Sequence, residues 1–320
     1  MYVDLAEPEL RSYRSAQHDP DDFDSFWAST LAQAREHDIA VTAEQVDTGL
    51  STVDVYDTVF SGYNGQRISA WLVLPAARTG PLPAVVQYQG YGGGRAHPLD
   101  HLVWASAGYA HLVMDTRGQA SAWGGGVTPD PDGGGPQSPG VMTRGIESRE
   151  TYYYRRLITD AVRAVEAVRG MESVDPDRVA VVGGSQGGAL ALSVAGLVGG
   201  LRLVSARVPF LCDFPRATVI TDDLPYKEIG SYLAVHRHKV AQVHDTLSYF
   251  DGVNFARRAS APARFSAALM DPVTPPSTVF GAYNAYAGPK EMAVWPYNGH
   301  EGGGVESTAA DLVALRGAFG

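Results

Sequence analysis

The sequence predicts an α/β fold, a mostly parallel central sheet with helices on both faces, from three observations. Short apolar runs of strand length recur along the chain: "AVVQYQ" (84–89), "AHLVMD" (110–115), "VAVVG" (179–183), "LRLVSARV" (201–208), "ARFSAALMD" (263–271) and "KEMAVWP" (290–296). Helical stretches separate them, at about 98–107, 150–170, 186–198, 275–287 and 306–318. Strands alternating with helices call for crossover connections, and crossovers build parallel pairs. With 320 residues, 45% hydrophobic and 19% charged, the chain suits a single large domain, 1–320.

Before the first of these strands, residues 1–38 read as a peripheral helical segment. Phe23, Phe26, Trp27 and Leu31 fall near helical spacing and form a stripe that should pack on the body. Val53 and Val55, the Asn64-Gly65 pair, then Ile68, Ala70, Leu72 and Leu74 read as a hairpin, placing antiparallel strands at one edge. Two segments interrupt the later rhythm. The Gly/Pro-rich stretch 123–145 is too long for a plain connection. Residues 222–258 read as a small helical insertion between two core strands, suited to cap the strand ends.

The net charge of -10, without a basic run, speaks against nucleic acid and anionic membranes as partners. The single cysteine, Cys212, excludes an intrachain disulfide and a cysteine-based metal cluster. The acidic, polar start lacks the pattern of a secretory signal, and no apolar run is long enough to span a bilayer, so a cytoplasmic protein is expected.

Within "RVAVVGGSQGGALALSV", Gly183-Gly184-Ser185-Gln186-Gly187 fits G-x-S-x-G at a strand-to-helix junction. A serine raised on so sharp a turn needs small neighbours two residues away, and Gly183 and Gly187 provide them. No G-K-[ST] follows, which excludes a P-loop, and the serine and glutamine break a dinucleotide-binding frame. A serine hydroxyl needs a histidine base and an acid to orient it, in the chain order Ser, acid, His in α/β-hydrolases. Of the nine histidines, His111 lies in a strand before Ser185, while His236, His238 and His244 fall in the insertion. His300 follows the last strand in a glycine-rich turn, "YNGHEGGG". Asp271 ends the strand at 263–271, whereas its rivals Asp245 and Asp251 lie in the insertion. For the oxyanion, Tyr91 in "VVQYQGYGGGR" and Gln186 are placed to offer backbone N–H groups. No metal or organic cofactor is called for by this chemistry.

Together, Arg117-Gly118-Gln119, Gly183-Gly184-Ser185-Gln186-Gly187 and His300-Glu301 resemble the signature of the acetyl xylan esterase/cephalosporin C deacetylase family, carbohydrate esterase family 7. The likeness extends over the whole chain through "FSGYNGQRI", "VMDTRGQ", "TRGIESRETYYYRR", "TLSYFDGVNFA" and "PPSTVF". It implies a triad of Ser185, Asp271 and His300 with Tyr91 and Gln186 as oxyanion donors. It implies an acetyl-enzyme route for acetylated xylo-oligosaccharides, cephalosporin C and small acetate esters. It also implies doughnut-shaped homohexamers with active sites facing an inner cavity, where 123–145 corresponds to an extension used in subunit contacts. Arg117 and Gln119 then hold loops rather than substrate, Arg117 by a bidentate bond to a carboxylate, with Glu301 in similar work. Pro272 and Val273, beside the acid, depart from the family pattern and bear on acyl size; Phe210 is the expected acyl-pocket wall. The alternatives are another α/β-hydrolase esterase or peptidase, or a non-catalytic binding member of the fold. A prolyl-type peptidase would carry a propeller or a long N-terminal domain, and a dienelactone hydrolase would have cysteine at position 185.

Overall fold

The computed structural model describes residues 1–133 and 140–320. Two helices, α1 (Glu7–Ser12) and α2 (Phe23–Arg35), precede the sheet. Three antiparallel strands follow: β1 (Thr42–Val46), β2 (Val53–Ser61) and β3 (Arg67–Pro75). Then come β4 (Leu82–Tyr88), α3 (Val103–Ser106), β5 (Ala110–Met114), α4 (Tyr153–Arg169), β6 (Val174–Gly184), α5 (Gln186–Leu197) and β7 (Leu201–Arg207). Four helices form the insertion, α6 (Phe214–Ile220), α7 (Tyr226–Val235), α8 (Val240–Ser248) and α9 (Gly252–Ala256). β8 (Ala263–Ala268), α10 (Pro276–Ala285), β9 (Lys290–Trp295) and α11 (Gly304–Phe319) complete the chain.

The strands form one nine-stranded sheet in the order β1-β2-β3-β5-β4-β6-β7-β8-β9, parallel from β5 to β9. Its centre is apolar on both faces, as a parallel sheet between helices requires. Val86, Val179 and Val181 face the layer containing α4 and α5, while Val85, Ala180 and Val182 face Trp104, Leu315 and Phe319. The order reverses at β4, between β5 and β6, and the crevice at the strand C-termini there is where ligands bind in open α/β sheets.

Several expected boundaries move. β1 carries no apolar alternation; four of its five residues are exposed, so its place is set by backbone pairing with β2 alone. The helix expected at 98–107 is a 3-10 turn, Pro98–His101, followed by the single turn of α3. The insertion starts at Phe214, earlier than 222, because Pro215 opens a helix directly after the β7 loop. In the N-terminal segment, Phe23, Trp27 and Leu31 are buried, and the Trp27 indole N–H donates to the Tyr249 carbonyl (2.9 Å). Within 123–145, residues 134–139 lie outside the described residues. Among the described residues no helix is long and apolar enough to cross a membrane.

Candidate active site

Ser185 stands between β6 and α5 with φ 55° and ψ −122°, a conformation costly for a residue bearing a Cβ. The surrounding turn leaves no room for larger neighbours. A Cβ on Gly183 would lie 2.3 Å from the Gly187 carbonyl carbon, and one on Gly187 would lie 2.2 Å from the Tyr88 carbonyl oxygen. The serine backbone is pinned from β7: its N–H donates to the Arg207 carbonyl (2.9 Å), and its carbonyl accepts from Phe210 N–H (3.0 Å). That tethering holds the strained turn in place.

His300 Nε2 lies 3.0 Å from Ser185 Oγ, and His300 Nδ1 lies 2.9 Å from Asp271 Oδ2. A carboxylate facing Nδ1 selects the tautomer whose Nδ1–H donates, which leaves Nε2 free to accept from the serine hydroxyl. Asp271 is fully buried. It also accepts from the Val273 and Thr274 N–H groups (2.8 and 3.0 Å) and from Thr274 Oγ1 (2.7 Å). The strand bearing it is shorter than expected: β8 stops at Ala268, and Asp271 sits in the following turn, where Met270 N–H donates to the Asn298 carbonyl (3.1 Å). This bond joins the acid's turn to the histidine's. Glu301 closes the latter by accepting from Asn298 Nδ2 (2.9 Å) and Gly299 N–H (3.3 Å).

Among the described residues, none of the other candidates for base and acid hydrogen-bonds to Ser185 or His300. His111 is fully buried, with Nδ1 on the His101 carbonyl (3.0 Å), and burial pushes its pKa down to about 3. His236 packs on the Tyr232 ring, with centroids 4.2 Å apart, and burial lowers His244. Asp251 caps α9 and accepts from the Asp213, Phe214 and Val253 N–H groups, tying the insertion together.

On the other side of Ser185, the backbone N–H groups of Tyr91 and Gln186 have no hydrogen-bond partner among the described residues. The turn containing Tyr91 is held at several points. Tyr91 OH donates to Glu228 Oε1 (2.7 Å) and accepts from Val141 N–H (2.7 Å), while Glu228 Oε2 accepts from Met142 N–H (3.1 Å). The Tyr91 carbonyl accepts from Trp123 Nε1 (2.7 Å). Gln119 Oε1 accepts from Gly92 N–H (2.7 Å), and Gln119 Nε2 donates to Gln186 Oε1 (2.9 Å), so one side chain ties the residue after Tyr91 to the Gln186 side chain. Gln186 Oε1 also accepts from Tyr154 OH (2.9 Å). Burial pushes the Glu228 carboxyl and the Tyr91 hydroxyl upward; for Glu228 the bonds from Tyr91 and Met142 N–H act against it.

Among the described residues, the Arg117 side chain makes no hydrogen bond to this turn. Its guanidinium binds Asp160 through Nε (2.5 Å) and Nη2 (2.8 Å), with both side chains fully buried, and Asp160 accepts Tyr63 N–H as well (2.8 Å). Gly118 has φ 63°, and a Cβ there would meet the Asp130 Cβ at 2.7 Å, so this bend requires glycine. Asp130, in the 123–145 segment, is clamped by Arg156 and Arg144.

A cavity of about 450 Å³ opens onto Ser185 and His300. Its walls include Gln87, Trp104, Trp123, Arg207 and Thr308. Phe210, Pro272 and Val273 do not line it. Phe210 is fully buried behind the turn, edge-on to Tyr91 at 6.3 Å between ring centroids, and Val273 serves Asp271 through its N–H. Sequence reasoning missed Glu228, Trp123, Thr274 and Asp160. A tryptophan inside an otherwise Gly/Pro-rich stretch was the one available signal among them; Glu228 reads as one more charge on a helix.

A family model described as Acetyl xylan esterase (AXE1) matches residues 1–314. The chain belongs to the acetyl xylan esterase family. Its fold is close to that of the acetyl xylan esterase from Paenibacillus sp. R4, with 38% identity and a TM-score of 0.92 over 98% of this chain and 99% of that one. Acetyl xylan esterase 1 from Thermoanaerobacterium sp. JW/SL YS485 is similar, with 33% identity and a TM-score of 0.90 over the same shares of the two chains. Acetyl esterase Axe7A from Xylanibacter ruminicola is 30% identical over 288 residues, 88% of this chain; the chain spans 63% of that relative's length. Outside the acetyl xylan esterases, an acylaminoacyl peptidase from Pyrococcus horikoshii shares the α/β-hydrolase fold alone, at 13% identity and a TM-score of 0.58 over 79% of this chain and 38% of the peptidase.

Proposed function

We propose that the protein is a serine esterase that deacetylates acetylated xylo-oligosaccharides and small acetate esters, including cephalosporin C, through an acetyl-enzyme. The observation that carries this reading is the continuous relay from Ser185 Oγ to His300 Nε2 (3.0 Å) and from His300 Nδ1 to Asp271 (2.9 Å), at the foot of an open cavity. Membership of the acetyl xylan esterase family supports the choice of acetyl ester.

In this mechanism His300 takes the Ser185 proton as Oγ attacks the acetyl carbonyl carbon. The carbonyl oxygen becomes an oxyanion that accepts from the Tyr91 and Gln186 N–H groups, helped by the field at the N-terminus of α5. The tetrahedral adduct collapses, the ester C–O bond breaks, and His300 gives its proton to the departing alcohol. Water, deprotonated by the same imidazole, attacks the acetyl-enzyme. Acetate leaves and Oγ recovers its proton. Asp271, held by four hydrogen bonds, keeps the imidazole in one orientation and stabilises its charged form.

Ser185→Ala is the test. Hydrolysis of p-nitrophenyl acetate should fall by at least about 10⁴-fold with the circular dichroism spectrum unchanged; a folded variant near the wild-type rate would overturn the mechanism. Acetate release from acetylated xylo-oligosaccharides, cephalosporin C and ethyl acetate, beside cleavage of chromogenic dipeptides, ranks the substrates and separates esterase from peptidase. A homohexamer belongs to the same proposal, and sedimentation velocity tests it.

A further inference from the structure

We propose that the Trp123 indole is the platform on which the pyranose ring of the substrate rests, so that this residue selects sugar esters over simple acetates. The proposal rests on the esterase reading above and names a ligand contact within that site.

Trp123 lines the cavity next to Ser185, yet 61% of its surface is exposed. Single exposed apolar side chains are ordinary on a protein surface, but this one is an aromatic ring in the wall of the nucleophile's cavity. It is also fixed. Its Nε1–H donates to the Tyr91 carbonyl (2.7 Å), and its six-membered ring lies against the glycine turn. A Cβ on Gly93 would fall 2.2 Å from Cζ2, and one on Gly90 would fall 3.2 Å from the same atom. The glycines thus make the seat, and the hydrogen bond sets the angle. The indole is held in place beside the nucleophile, at little further entropic cost on binding.

The remainder of the cavity rim fits the same ligand. Asp100, Glu301 and Thr308 line it, so carboxylate and hydroxyl oxygens share the lining with the Trp123 indole. A pyranose has the matching chemistry, with C–H groups on its flat faces and hydroxyls at its edge. A sugar's ring hydroxyls offer these oxygens further donors, which the alkyl group of a simple acetate lacks. With the acetyl carbonyl at Ser185, the ring carrying the ester oxygen reaches the adjoining wall, where Trp123 stands.

Binding is the direct test, because it does not depend on turnover. The probe is a methyl β-xylopyranoside bearing an acetamido group in place of one acetate ester, titrated by calorimetry into the full chain with Ser185 intact. Trp123→Ala should weaken its Kd by about tenfold or more. Gly93→Ala, which pushes the indole off its seat but keeps it in the protein, should weaken binding similarly. Trp123→Phe, which keeps a ring but loses the Tyr91 bond, should stay within about threefold of wild type. An unchanged Kd in Trp123→Ala overturns the platform. So does equal weakening in Trp123→Phe and Trp123→Ala, because it would make Trp123 only a brace for the Tyr91 turn. Failure of the esterase reading is seen separately, as acetate release that persists in Ser185→Ala.

Discussion

The two sides of Ser185 are built differently. On the acid–base side each turn is held mostly by its own near neighbours, and the Met270–Asn298 bond joins the two. Asp271 is held by Val273 and Thr274, two and three residues away, and Glu301 shapes the His300 turn through Asn298 and Gly299. On the oxyanion side the Tyr91 turn is held by Trp123, Val141 and Glu228, separated from it by 32, 50 and 137 residues. A self-supporting turn keeps its geometry wherever its strand is paired. A turn assembled from distant loops keeps its geometry only while those loops, including the helical insertion, are folded onto it. Damage to the first side should therefore be chemical, and damage to the second should be transmitted.

The largest effect that would sharpen this contrast is Asp271→Asn, which reverses the hydrogen-bond demand on His300; kcat should drop by about 10⁴-fold with the melting temperature little changed. Asp251→Asn should fall far short of that, and the opposite ranking would reassign the acid. Next is Asp160→Ala, which leaves the fully buried Arg117 guanidinium without its bidentate partner; urea unfolding should show a loss of about 3–5 kcal/mol. Glu228→Ala should lower kcat by about 10- to 100-fold with little change in KM, since an oxyanion donor is displaced rather than removed. Glu228→Gln, whose amide oxygen can still accept from Tyr91 OH, should recover part of it; a loss that appears only in KM would break the transmitted-geometry argument. The smallest effect belongs to Thr274→Val, which removes one of several bonds to Asp271 and should reduce kcat by less than about tenfold. A loss as large as that of Asp271→Asn would mean that the acid's turn is not self-supporting after all.

Legibility in the sequence follows the same division. Ser185, Asp271 and His300 could be picked out because each lies just beyond a strand with an apolar run, buried for β6 and β8 and half-buried for β9, in a turn whose glycines or prolines are contiguous with it. The structure brings those three side chains within hydrogen-bond distance. The edge strand β1 could not be picked out, since an exposed strand needs no apolar alternation. Nor could α6, which follows directly on the β7 loop. Gln186 was legible only as a backbone donor; its side chain is a buried junction for Gln119 and Tyr154.

By itself the sequence determined the alternation of strands and helices, the strained elbow and the order of nucleophile, acid and base. Those features depend on hydrophobic period and local turn chemistry, which neighbouring residues carry. Tertiary structure alone decided that Glu228 of the insertion reaches Tyr91, that Asp160 is the partner of Arg117, and that Trp123 stands open beside the nucleophile. Each depends on which side chains meet after distant segments pack, and a buried polar group takes whatever partner that packing brings within reach.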